Sequence, residues 1–437
     1  MNTAFGSRNG LVYGLMGFPL AFAALPLYVI LPNHYAREFG VPLATLGAIL
    51  LGARLFDAFI DPALGRLTDR LFARSAAAVL ALGAAAAWVL AIGFALLFFP
   101  LVHEPGALVI WATAMLMLTY AGYSALSVAH QSWAAMLGGD EAQRSRIVAW
   151  REGLGLLGVV TASVLPVLLG LPVTTAVFFA ALVLGWWGWQ RSVRPTTLMP
   201  HGTQEAAAAA TSVWQPFRQA SFRRLLVVFM LNGIASAIPA TLVLFFIQDK
   251  LLAPASFEPL FLGSYFLCAA LSIPLWLAVV KRIGLARSWL VGMVLAMSVF
   301  VWASQVSGGQ MLAFALICAL SGVALGADLA LPSALLAGVI QNSHAAATSS
   351  QPSPAAASGA GAYFGWWSFV TKLNLALAAG LALPLLDFFG YAPGVRDAAA
   401  LNALVIAYCV LPCVLKALAA AALYLLVIRP SSLESSP

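Results

Sequence analysis

The chain has 437 residues, of which 62% are hydrophobic and only 8% charged, and its mean hydropathy is +0.95. Soluble domains carry about 25% charged residues, so this composition excludes a water-soluble fold and points to an all-α polytopic membrane protein. The net charge of +7 comes from Lys and Arg scattered over short connections, which reads as membrane topology and not as a nucleic-acid surface.

Twelve apolar runs are long enough to cross a bilayer. In the first half they lie near 9–31, 41–65, 76–101, 106–132, 147–171 and 173–192. In the second half they lie near 223–248, 258–280, 287–306, 310–338, 362–388 and 400–427. The first run begins after Arg8 and is too long for the core of a signal peptide, so it reads as an uncleaved span. This divides the chain into an N-terminal six-helix bundle (1–192), a polar cytoplasmic linker (193–222, with an Ala run at 206–210), a C-terminal six-helix bundle (223–430) and a tail (431–437). Within the second bundle, 339–361 is rich in Ala, Ser and Pro, has no Lys or Arg, and reads as a flexible cytoplasmic loop. Lys and Arg crowd into alternate connections, which predicts a multi-pass protein of the inner (plasma) membrane with both termini cytoplasmic. Cys268, Cys318, Cys409 and Cys413 all fall in apolar runs without metal-like spacing, so no disulfide is expected.

Charge inside an apolar run is the informative exception. Arg54, Asp57 and Asp61 are spaced i, i+3, i+7 and share one face of a helix. Each charge at the centre of a membrane helix costs about 2.5–3.5 kcal/mol, so an anchoring span has no use for three. Two carboxylates a turn apart stay ionised in a low dielectric only if a cation or Arg54 offsets them, which marks a cation site. Pro62 lacks an N–H, so the carbonyl of Ala58 loses its helix partner and offers a further hard ligand. The plainer alternative is an Arg54–Asp57 salt bridge that holds helices together. The stretch that follows, up to Arg70, reads as a charged turn.

Further along, Ser124, Ser127, His130 and Gln131 recur at helical spacing in the fourth run and are expected to line a cavity, with His130 as a second option for carrying a proton. Glu152 adjoins Arg151 but points about 100° away on a helix, which predicts a separate partner or a place in the headgroup region. Asp328 reads as a cavity-side or helix-pairing acid, and Lys416 as a snorkelling or pairing cation. Trp366 and Trp367 precede Lys372 closely enough either to stack on a ligand or to pack. No phosphate loop, nucleophilic triad or metal cluster is present in the sequence, which argues against an ATP-driven pump or an enzyme. A weak internal repeat relates the halves: Arg70 and Arg74 follow the second run as Lys281 and Arg282 follow the eighth, and Arg151 opens the fifth as Lys372 opens the eleventh.

Gly65-x-x-x-Asp69-Arg70-x-x-x-Arg74 resembles the loop motif of the major facilitator superfamily, whose charges clamp helix ends; Arg54, Lys281 and Arg282 are grouped with that clamp. More specifically, Arg54-x-x-Asp57-Ala-x-x-Asp61-Pro62-x-x-Gly65 and Gly361-Ala-Tyr363-Phe364-Gly365-Trp-Trp-Ser-Phe369-Val-x-Lys372 resemble the glycoside–pentoside–hexuronide:cation symporters, and Asp328-Leu-Ala-Leu-Pro332 is similar too. The resemblance implies twelve helices in two pseudo-symmetric six-helix bundles, alternating access, and a substrate cavity between the bundles. Asp57 and Asp61 match its cation-binding carboxylates, Tyr123-Ser124 its cation-site hydroxyl, and Arg151 and Lys372 its cavity bases. The implied partners are a small polar solute, a sugar or glycoside by resemblance, a coupling Na⁺ or H⁺, and the bilayer; the chain is expected to be a monomer without a cofactor, a resident metal or nucleic acid. The sequence departs from the pattern at Gly10–Pro32, which has no carboxylate, at Ser127 and Ile60, which replace an acid and an amide, and at Gly338 and Gln341, which stand where acids are usual. These departures keep open an anionic or amphiphilic substrate such as a lysolipid, and, in a different class, a non-transporting sensor or assembly partner.

Overall fold

A computed structural model describes residues 6–137, 141–195, 214–348 and 360–429. In lipid every backbone N–H and C=O must be satisfied within the segment, so each long apolar run becomes a helix. The N-terminal half has α1 (Ser7–Glu38), α2 (Leu43–Arg74), α3 (Ala76–Phe98) and α4 (Pro105–Met136). The continuous helical stretch Glu141–Arg191 follows, broken at Gly170, where φ 76° and ψ 169° interrupt the helix; its two arms are α5 (141–169) and α6 (171–191). The C-terminal half has α7 (Ala220–Lys250), α8 (Ala255–Ile283), α9 (Leu285–Ala303), α10 (Met311–Thr348), α11 (Ala360–Phe388) and α12 (Ala398–Ile428). Eleven of the described helices are long and apolar enough to cross a membrane, and the break at Gly170 divides one of them into two spans, giving twelve.

Two boundaries differ from the sequence expectation. The segment expected as a charged turn after Asp61 is helical, and α2 ends only at Arg74. Nothing between Gly65 and Arg74 stops a helix, and the stop comes at Ser75, which is extended and accepts a hydrogen bond from the Ala78 N–H at 3.1 Å to cap α3. Likewise α10 runs on to Thr348, so residues 339–348 of the expected loop are helical. The remainder of that loop up to 359, the Ala run at 206–210 and the tail at 431–437 lie outside the described residues.

The chain divides into two compact units, Met1–Met199 and Pro200–Pro437. In the first, α1 lies directly on α5. A side chain on Gly17 would run into the Arg151 carbonyl, and one on Gly158 into the Phe18 carbonyl, so glycine is what lets the two backbones meet. Phe22, Phe94, Phe98 and Phe178 fill the interior beside this contact. In the second unit, Phe222, Trp276, Trp289, Met293 and Leu331 form one core cluster.

Gly158→Val is therefore expected to cost about 1–3 kcal/mol through overpacking and to lower the thermal midpoint of the purified protein. Gly153→Ala on the same helix, where an added Cβ meets nothing within 4 Å, serves as the tolerated control in the same melting experiment.

Candidate functional site

Among the described residues of the N-terminal unit, one carboxylate is fully buried, Asp57 on α2. The Ser124 hydroxyl on α4 donates a short hydrogen bond to Asp57 Oδ1. Arg54, one turn earlier, places its guanidinium 3.8 Å from Asp57 Oδ2 and 4.2 Å above the ring of Tyr120. At that distance the ion pair is beyond hydrogen-bonding range, and the arginine shares its charge between the carboxylate and the aromatic face. Asp61 is half-buried one turn further along the same face of α2. The structure thus brings together Arg54, Asp57 and Ser124, with Tyr120 as a member that the sequence reading did not name. Carboxylate and hydroxyl oxygens are hard donors, suited to a proton or a small alkali cation.

The other polar residues of α4 separate. Gln131 donates from Nε2 to Ser127 Oγ at 2.8 Å on a more accessible side of the helix. His130 does not share that side: it is fully buried, stacked on Tyr13 at 4.2 Å and edge-on to Trp189 at 5.2 Å. Its Nε2 lies 3.1 Å from the Tyr13 carbonyl, and the Tyr13 hydroxyl donates to the His130 carbonyl at 3.0 Å. The expected cavity-lining role is corrected to helix packing between α1, α4 and α6. Arg151 and Glu152 also differ from expectation, since they pair with each other at 3.6 Å. The long side chains bridge the angle that separates the two Cα–Cβ directions.

Trp366 packs against Trp214, Phe217 and Phe369 at 4.8–5.6 Å, and Trp367 stacks on Phe229 at 3.7 Å, so these partly buried rings pack onto the core of the second unit, the packing alternative of the two. Lys372 is half-buried on α11. Arg70 and Arg74 are exposed along the outer turns of α2, Lys281 and Arg282 at the end of α8, and Gly65 has open space beside it; the side chain of Asp69 lies outside the described residues.

The second unit contains a closed polar centre. Lys416 on α12 is 6% exposed and donates to Asp328 Oδ2 (2.8 Å), Asn232 Oδ1 (2.7 Å) and Ser236 Oγ (3.1 Å). Asp328, on α10, also accepts from the Ser236 hydroxyl at 3.1 Å and from Trp289 Nε1 at 2.9 Å. The sequence leaves Asp328 as a cavity-side or helix-pairing acid and Lys416 as a snorkelling or pairing cation, and in the structure the two pair with each other. The sequence reading does not name Asn232, Ser236 and Trp289. Their one readable signal is the i, i+4 spacing of Asn232 and Ser236 in an otherwise apolar stretch.

The chain matches the family described as MFS/sugar transport protein over residues 12–429. It belongs to that family. No curated protein matches the chain significantly. Among solved structures it is similar to a bacterial homologue of the human lysosomal transporter Spinster in an inward-facing, unoccupied conformation (14% identity, 96% of this chain and 97% of that one, TM-score 0.72). It is also similar to the nucleoside transporter NupG (12% identity, 97% and 99% covered, TM-score 0.65). At such identities the likeness establishes the fold, and the family makes the chain a multi-pass membrane transporter of the major facilitator superfamily and not an enzyme.

In this transporter the Lys416–Asp328 centre carries a definite stability expectation. Lys416→Met or Asp328→Asn alone strands one buried partner and is expected to cost about 3–5 kcal/mol. The double variant leaves no unmatched charge and is expected to recover most of that loss. Thermal unfolding of the four proteins in detergent, read as a double-mutant cycle, checks this.

Proposed function

We propose that the transporter is a cation-coupled symporter working by alternating access, with Asp57 as the group that takes the coupling Na⁺ or H⁺ and a small polar solute, a sugar or glycoside, as its cargo. One observation supports this above the others: Asp57 is a fully buried carboxylate, yet Arg54 stands off at 3.8 Å while a hydroxyl is bound to the other oxygen. A carboxylate held purely for structure gains most from a tight bidentate arginine, and Arg54 does not bind Asp57 in that way. Arg54 rests partly on Tyr120, which gives it somewhere to remain when a cation neutralises Asp57. Asp61 serves as the second carboxylate of the site, as the resemblance implies. The family name supports a sugar-like cargo, with Ser127, Gln131, Arg151 and Lys372 as the polar groups offered to it. The transporter acts as a monomer in the inner (plasma) membrane with both termini cytoplasmic, as the distribution of Lys and Arg indicates.

One observation favours a second cargo class. Residues 10–32 have no carboxylate with which to hold sugar hydroxyls, whereas Arg151 and Lys372 are positive, a combination that suits an anionic or amphiphilic molecule such as a lysolipid. Uptake into proteoliposomes distinguishes the cargoes.

Asp57→Asn is expected to abolish gradient-driven accumulation of substrate while sparing exchange down a concentration gradient. Proteoliposome uptake with an imposed Na⁺ gradient, and separately with an imposed pH gradient, reads this and names the ion. Accumulation unchanged in Asp57→Asn under both gradients overturns the reading.

A further inference from the structure

A lysine ammonium has three N–H donors, and all three donors of Lys416 meet oxygen: an amide carbonyl from Asn232, a carboxylate from Asp328 and a hydroxyl from Ser236, at 2.7–3.1 Å. All three oxygens come from other helices, α7 and α10, so α12 contributes to the centre only a positive charge on a four-carbon stem. Carboxylate, amide and hydroxyl oxygens converging on one positive point form the donor set of a hard monovalent cation. The set is held from outside as well, because Trp289 Nε1 fixes the second oxygen of Asp328 at 2.9 Å. A further amide lies close by. Asn374 on α11 is 4% exposed and packs against Gly233, the residue next to Asn232, where a side chain on the glycine would collide with its amide nitrogen. Its Oδ1 is buried without a hydrogen-bond partner among the described residues. The charged groups in this cluster are Asp328 and Lys416 and the rest is neutral, so removal of the ammonium leaves one net negative charge enclosed in low dielectric.

We propose that this centre is a second monovalent-cation site, filled by the protein's own lysine. Lys416 is a tethered cation, and when its ammonium is removed a small free cation, an alkylammonium or Na⁺, takes the position between Asp328, Asn232 and Ser236. A simple structural ion pair needs only the carboxylate; the neutral oxygens on α7 make it a cage. The consequence for coupling rests on the reading of Asp57 given above: with the C-terminal site permanently filled, the ion exchanged with solution is the one at Asp57.

The test uses the full-length protein in detergent, in a buffer whose only cation is the bulky N-methylglucamine, and follows the thermal midpoint. Lys416→Ala is expected to melt below the wild type, and ethylammonium or Na⁺ is expected to restore, saturably, at least half of the lost midpoint. Lys416→Ala/Asp328→Asn is expected to gain nothing from either cation. Lys416→Ala/Asp57→Asn is expected to keep the restoration, which separates this site from the coupling site; failure of the coupling reading shows instead in the single Asp57→Asn variant. Should Lys416→Ala be lost during purification, it is prepared with ethylammonium present from lysis onward, and recovery only under that condition supports the cage. Equal response of Lys416→Ala and Lys416→Ala/Asp328→Asn to every cation, or loss of the protein in both preparations, overturns the proposal and leaves Asp328 as a group that takes a proton or serves packing alone.

Discussion

A charge taken out of water into a bilayer-spanning bundle must be matched on the spot, because the apolar surroundings neither screen nor hydrate it. Two carboxylates of this transporter, Asp57 and Asp328, meet that constraint in different ways. Asp328 is closed in by an ammonium at 2.8 Å, a hydroxyl and an indole N–H, and its lysine has every donor occupied. Asp57 has a hydroxyl on one oxygen and a guanidinium at 3.8 Å from the other. Coulomb attraction falls as the inverse of distance, so the longer pair loses about a quarter of the attraction and, more importantly, the hydrogen bond itself. The Asp328–Lys416 contact is a short hydrogen-bonded ion pair, and the Asp57–Arg54 contact is a longer one.

The backbone packing explains why the loose centre holds its shape without a tight ion pair. In the first unit α1 and α5 touch through Gly17 and Gly158, and the aromatic cluster of Tyr13, His130, Trp133 and Trp189 locks α4 against α1 and α6. Ser124 is carried on that immobilised α4, so its hydroxyl is delivered to Asp57 by helix packing and not by the ion pair. His130 contributes to this as a ring and a backbone hydrogen-bond partner.

How much of this could be read from the chain depends on how local the signal is. Twelve spans follow from run length alone, and Arg54, Asp57 and Ser124 were legible because a charge or a hydroxyl in an apolar run stands out within a few residues. The continuation of α2 to Arg74 was not legible, because a charged helix beyond the apolar run carries no hydropathy signal and its end is set by the capping of Ser75. Arg151 and Glu152 were misjudged by reasoning from Cβ direction alone, which ignores the reach of two long side chains. Trp366 was seen as an aromatic near a lysine, but its partners Trp214 and Phe217 are about 150 residues earlier in the chain and meet it only in the fold. The Lys416–Asn232 bond joins residues 184 positions apart, a distance at which no periodicity can speak.

The contrast between the two centres bears on what each can contribute to transport. A group that couples ion binding to conformational change must be able to exchange its partner, because a ligand shifts an equilibrium only by binding its states unequally. A saturated centre such as Lys416–Asp328 gains nothing from a further ion and loses a great deal if it opens, so it favours keeping α7, α10 and α12 together as one piece throughout the cycle. The Arg54–Asp57 contact is long and Arg54 already lies over Tyr120, so the coupling proposed at Asp57 breaks no hydrogen bond between those two side chains. The asymmetry between the units therefore agrees with the coupling proposed at Asp57: a short, many-partnered ion pair favours rigidity among α7, α10 and α12, and the longer pair on α2 costs less to rearrange.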